Sequence, residues 1–164
     1  GLVAHYADGG DRSGVYAWDF TDSTEEFKQN LRECDSLPAR HDEYGLPALD
    51  RALDFEWRPM CRRFVVSFTD EPVDGGHEPA FQRSCLAQLS EKFNALKVNG
   101  FLIGPACSAY DELGRAPRMV RVLLGHSDLA RYDFARFLAD LGRTVSNTAE
   151  QEVGGGVSRN LYRL

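Results

Sequence analysis

The apolar positions of the chain recur with two periods, and the changes between them mark the elements. "GLVAHYA" (1–7) and "GVYAWDF" (14–20) are β-rich runs on either side of "DGGDRS". The glycines and aspartates between them supply the backbone angles of a tight reversal, so the pattern predicts a hairpin. "DSTEEFKQNLREC" (22–34) sets Ser23 and Glu26 at capping-box spacing and Phe27 and Leu31 one turn apart, which predicts a helix. After the irregular "DSLPARHDEYG", Leu46, Leu49 and Leu53 keep one face apolar through "LPALDRALDF" (46–55), predicting a second helix.

"RRFVVSFTDEPVDGG" (62–76) changes the period. Its unbroken apolar run predicts a strand over Phe64–Thr69, buried on both faces in the middle of a parallel sheet and ending on a carboxylate, Asp70. In "AFQRSCLAQLSEKFNAL" (80–96), Phe81, Cys85, Leu89 and Phe93 return every four residues, with Leu86 and Leu96 widening the stripe. "VNGFLIGPA" (98–106) and "RMVRVLLG" (118–125) read as two strands joined by a polar loop. "YDFARFLADLG" (132–142) reads as a last helix burying Phe134, Phe137, Leu138 and Leu141 and stopping at Gly142.

This order predicts an α/β fold: a mostly parallel, Rossmann-like central sheet with helices on both faces. It spans residues 1–146, and residues 147–164, with the triple glycine of "EVGGGVS", read as an extension or linker. Ligands of such sheets bind at the carboxyl ends of the strands, where Asp70 falls.

Composition narrows the function. At 164 residues and 43% hydrophobic, the chain can build one core, and no run reaches the ~18 apolar residues of a membrane span. A net charge of −6 argues against tracking nucleic acid. The pair Arg62–Arg63 and the cluster Arg115, Arg118 and Arg121 read as solvated faces. Cys34, Cys61, Cys85 and Cys107 lie far apart without metal spacing and read as buried free thiols, which favours a cytoplasmic setting; spacing alone leaves two disulfides open. There is no phosphate loop in "DGGH" and no nucleophile elbow, and Cys107 has no visible base.

Taken together, "GLVAHYAD", "GVYAWDFT", "HDEYGLPALDRALD" and above all "WRPMCRRFVVSFTDEP" resemble, in order and spacing, a von Willebrand factor type A (vWA) domain over about residues 1 to 146. The resemblance implies a metal-ion-dependent adhesion site fed by three loops. Asp70 matches the aspartate at the end of the family's fourth strand. "ARHDEYG" matches the second loop and offers Asp42 and Glu43, without the family's threonine. The Asp-x-Ser-x-Ser loop has no match; "DRSG" (11–14) imitates it, but Val15 stands in place of the last serine. The resemblance further implies a strand between Leu2–Ala7 and Phe64–Thr69 from outside Gly1–Leu164, so that the domain is N-terminally incomplete.

By resemblance, the chain is a non-enzymatic protein–protein interaction module that docks a partner at the strand-end face, with Mg²⁺ as its cofactor. Mg²⁺ takes hard oxygen ligands and keeps waters, leaving a position for a partner's carboxylate. Asp70, Asp42 and Glu43 are the candidate metal residues, and Glu71, His41 and His77 the candidate partner contacts. Bacterial members of the family imply an AAA+ ATPase or a phosphorylation-linked assembly as partner, not nucleic acid or membrane. The alternatives are a metal-dependent hydrolase or phosphatase on a related sheet, with Asp70 as nucleophile or ligand, and a metal-free scaffold. The residues also have plainer readings: Asp70 as the cap of a helix starting near Glu78, Asp42 and Glu43 as solvated loop charges, the histidines as surface residues, and Trp18 and Trp57 as packing anchors.

Overall fold

The computed structural model describes residues 1–7, 13–37, 44–70, 72–73, 79–124, 133, 135–136 and 139–143. The chain opens with strands β1 (Leu2–Ala7) and β2 (Ser13–Trp18), paired antiparallel from Leu2 against Trp18 to Ala7 against Ser13. Helices α1 (Thr24–Asp35) and α2 (Gly45–Leu53) follow, then β3 (Arg63–Phe68), α3 (Pro79–Ala95), β4 (Val98–Gly104), α4 (Ser108–Leu113) and β5 (Met119–Leu123). Residues 139–143 are again helical. The fold is α/β, but its strands form two sheets: the hairpin β1-β2 and a parallel sheet in the order β3-β4-β5.

Local chemistry accounts for several elements. The Ser23 hydroxyl accepts a hydrogen bond from the Glu26 amide at 3.2 Å, capping α1 as its spacing predicts. On α3, Leu86, Leu89 and Phe93 are buried and Cys85 half-buried, as is Leu96 just after it, so the four-residue stripe faces the core. That core joins α2, α3 and α4: Leu46, Leu49 and Leu53 meet Leu89, Phe93, Tyr110 and Leu113 over Val98 and Leu102. Close approach selects glycine at two places in this core. A β-carbon at Gly45 would collide with the Tyr110 hydroxyl, and one at Gly100 would stand 2.5 Å from Met119 Sδ and 3.0 Å from Phe93. Lys92 of α3 reaches Asp50 and Asp54 at 2.7 Å each, tying α3 to the end of α2. Burial alone would lower its pKa, but the two carboxylates outweigh burial and raise it.

Other expectations are corrected. Phe64–Thr69 was read as the middle of the sheet; among the described strands β4 is the middle one, and β3 lies at the edge. β3 is nonetheless half-buried along its whole length because both its faces are covered. Val65 packs towards the α2–α3–α4 core, whereas Phe64, Val66 and Phe68 join Phe101, Ile103, Leu124 and Leu141 on the other side. The segment read as a polar loop between β4 and β5 contains α4, which buries Ala109, Tyr110 and Leu113. The apolar pair on α1 is not buried: Phe27 and Leu31 are exposed. All four cysteines are free, as read, but none is fully buried, and Cys61 is exposed. Phe81, Phe134, Phe137 and Leu138 belong to segments whose side chains are outside the described residues.

Candidate functional site

The carboxyl end of the parallel sheet is where the strand pattern placed the chemistry. β3 leaves the ladder through Thr69, which is 4% exposed and whose amide donates to the Ile103 carbonyl at 3.0 Å. Asp70 follows, half-buried, one residue beyond that last bond. Beside it β4 ends at Gly104, where a β-carbon would lie 2.9 Å from the Thr69 methyl and 3.2 Å from the Thr69 carbonyl oxygen. The two strand ends therefore pack closely.

Arg121 of β5 holds this end together. Its side chain is only 10% exposed. The guanidinium donates to the carbonyls of Val122 at 2.8 Å, Gly104 at 3.1 Å and Leu102 at 3.2 Å, and to Pro105. It also pairs with Asp111 at 3.1 Å and lies 5.6 Å from the centre of the Tyr110 ring. A rigid fork of donors suits this clustering of carbonyls at a strand end. The sequence reading put Arg121 on a solvated face; it is instead a largely buried strut, and each of its guanidinium nitrogens has a partner. Arg63, too, is drawn inward, over the Trp57 ring at 5.9 Å and onto the Leu96 carbonyl at 3.1 Å.

Of the residues singled out for metal or partner, only Asp70 is among the described ones. Asp42, Glu43, Glu71, His41 and His77 lie outside them, as does His126. Among the described residues no three His, Cys, Asp or Glu side chains gather as metal ligands. Asp70 with the Thr69 hydroxyl offers too few oxygens by itself to fill the octahedral shell of Mg²⁺. No helix among the described residues is long and apolar enough to cross a membrane.

A second feature lies beside β3, on the side away from β4. A cavity of about 310 Å³ runs between the two sheets. Leu2, Val3 and His5 of β1 line one side and residues 64–68 of β3 the other, while Ala48, Leu49 and Ala52 come from α2. Phe20 packs on both Phe55 and Trp57 at one end, with ring centres 5.2 and 5.0 Å apart. Burial in this wall lowers the pKa of His5. Trp57 packs against the α2–α3–α4 core, as read, and donates to the Leu53 carbonyl, whereas Trp18 is half-buried outside it, stacked on the exposed Tyr16 and donating to Glu33 of α1. The apolar run of β3 reports covered faces and says nothing of which edges are paired, but the cavity lies between Leu2–Ala7 and Phe64–Thr69, where the resemblance implied a further strand.

Comparison of the chain with protein-family models, with curated proteins and with solved structures found no match.

Proposed function

We propose that the chain is a non-enzymatic interaction module that docks a protein partner at the carboxyl-end face of its parallel sheet. The observation that supports it is the placement of Asp70, a half-buried carboxylate just past the last ladder bond, at the end of the sheet where β3 and β4 terminate side by side. A carboxylate so placed is held by rigid strands and remains accessible, which suits a recognition group or one ligand of a cation. Arg121 does not compete for it, since its guanidinium is engaged with Asp111 and backbone carbonyls. The resemblance of "WRPMCRRFVVSFTDEP" to the vWA strand that ends on a metal-site aspartate adds to the reading. Mg²⁺ at this face would need Asp42 and Glu43 beside Asp70, and an AAA+ ATPase or a phosphorylation-linked assembly is the class of partner that the resemblance suggests.

The test uses the 164-residue chain and its Asp70→Asn form. Mg²⁺ is titrated calorimetrically into each, and proteins retained by each are compared with and without Mg²⁺. The proposal expects metal binding and partner retention to fall together in Asp70→Asn, with an unchanged melting temperature. Equal metal affinity and equal retention in both forms would remove Asp70 from the site. Hydrolysis of a phosphate or ester panel that disappears in Asp70→Asn would instead transfer the chain to the metal-dependent hydrolases.

A further inference from the structure

We infer that the amino end of the parallel sheet, opposite Asp70, is a docking surface for an acidic segment of a partner polypeptide. This goes beyond the reading of Asp70 and stands independently of it.

Parallel strands start at one end of their sheet, so three chain segments meet there: 56–62 leads into β3, 96–97 into β4 and 114–118 into β5. With Arg63, the first residue of β3, they bring together Arg58, Arg62, Lys97, Arg115 and Arg118, against the single carboxylate of Glu56. Even when Glu91 and Glu112, near the ends of α3 and α4, are counted with Glu56, these cations outnumber the carboxylates by two to one. Asp54, just past α2, is already held by Lys92. In a chain of net charge −6 this end reverses the sign of the whole. Such a field draws in and orients an anionic partner.

The basic surface is continuous across the three strands. Arg62 and Lys97 immediately precede the paired residues Arg63 and Val98, and Arg118 precedes Met119, which pairs with Gly100. The Arg118 guanidinium donates to Asn99 Oδ1 and the Asn99 amide to the Arg63 carbonyl, each at 3.5 Å. Neighbouring strands stand about 4.8 Å apart, so like charges at adjacent strand starts repel until an anion lies between them. Arg63 and Arg118 are engaged within the protein. Arg58, Arg62, Lys97 and Arg115 are exposed and enter no ion pair among the described residues.

The backbone supports the placement. Among the described residues, the non-glycine residues in the left-handed region are Met60, Lys97 and Arg118, with φ of 60°, 53° and 68°. All three lie at strand entries, in a conformation that glycine adopts without strain. A lysine and an arginine there place charge at a cost to the fold, a pattern that clusters at functional sites. Lys97 and Arg115 follow the carboxyl ends of α3 and α4, where a cation also complements the helix dipole. That plainer reason does not extend to Arg58 and Arg62, which stand well beyond the end of α2, nor to Met60, whose apolar side chain is fully exposed.

The class of partner follows from what accompanies the charge. Single-stranded nucleic acid stacks its bases on open aromatic faces, but here the Trp57 ring lies under Arg63. Arginine and methionine are both enriched at protein interfaces. The surface therefore fits an acidic stretch of polypeptide with an apolar residue to meet Met60.

The experiment uses the 164-residue chain and a labelled synthetic peptide of Glu-Glu-Leu repeats, with binding read by fluorescence anisotropy at one low salt concentration. One variant combines Arg58→Gln, Arg62→Gln and Lys97→Gln. A control removes the same charge from Lys28, Arg32 and Arg136, all exposed on other elements. The inference expects the first variant to weaken binding by roughly tenfold or more and the control by less than about threefold. Met60→Ser should weaken this peptide and leave an all-glutamate peptide unchanged. Lys97→Gly should weaken binding while the melting temperature holds or rises, because glycine relieves the left-handed backbone. Equal losses in variant and control would reduce the effect to net charge, and tighter binding of a single-stranded oligonucleotide of equal charge would assign the surface to nucleic acid; either overturns the inference. So does a parent chain that binds neither probe, or a Lys97→Gly form that melts lower with its binding unchanged, which would leave Lys97 to the helix end.

Discussion

Replacing Arg121 by methionine keeps an apolar stem and removes the guanidinium, together with its place over the Tyr110 ring. The bonds lost are those to Val122, Gly104, Leu102 and Pro105 and the pair with Asp111. They do not add in full, since the Gly104 carbonyl keeps its bond from Leu124 at 2.9 Å. Removing one partner of a fully buried ion pair costs about 3–5 kcal/mol. Asp111 is 43% exposed and can regain water, so the expected cost falls to about 2–3 kcal/mol. With a urea slope of about 1–3 kcal/mol per molar, the midpoint of unfolding should drop by roughly 1 M or more at unchanged slope. Arg121→Lys, which keeps the charge but not the fork, should lose about half as much. Arg115→Met is the control: Arg115 is exposed, and its loss should stay within about 0.5 kcal/mol. Equal midpoints for Arg121→Met and Arg115→Met would refute the strut and return Arg121 to the solvated face that its sequence context suggested.

Three further expectations follow from packing and titration. Phe93 is fully buried between α2 and β4, and Phe93→Ala should destabilise the chain by about 3–5 kcal/mol in the same urea assay. Ser23→Ala removes the acceptor for the Glu26 amide and should cost about 0.5–2 kcal/mol, with a matching loss of helical circular dichroism if α1 frays. Burial lowers the folded-state pKa of His5, so its neutral form adds stability that is present above about pH 6.5 and is lost as the pH falls through the lowered value. Stability measured between pH 7.5 and 5 should therefore fall less in His5→Gln than in the parent, and parallel curves would place the imidazole in water.

How far the fold could be read in the sequence depended on how local its cause was. The Ser23–Glu26 cap and the α3 stripe are set within one or two helical turns, and both were legible. The strand Phe64–Thr69 was legible as an element because its run of apolar residues reports two covered faces. Its position at the edge was not, since edge pairing depends on a partner strand distant in the chain. Ala109, Tyr110 and Leu113 do fall at helical spacing, but six residues between Pro105 and Pro117 make too short a run to stand out from a loop. Arg121 sits in a segment whose charges suggested solvent; only the cover of α4 and the bunching of strand-end carbonyls draw it in. Phe27 and Leu31 show the converse case, an apolar face that the pattern reveals without showing what, if anything, packs on it. At the candidate site, the strand-end position of Asp70 was legible from the point where the apolar run stops.

Asp70 is presented by β3, which lies at the edge of the parallel sheet among the described strands. Site-resolved amide exchange along β3, in the chain alone at neutral pH, tests that most directly. Val65 and Ser67 face β4 and should be protected, whereas Phe64 and Val66 face the cavity and should exchange faster by roughly tenfold or more. Uniform protection from residue 64 to residue 67 would mean that β3 is laddered on both edges, and would contradict the open sheet.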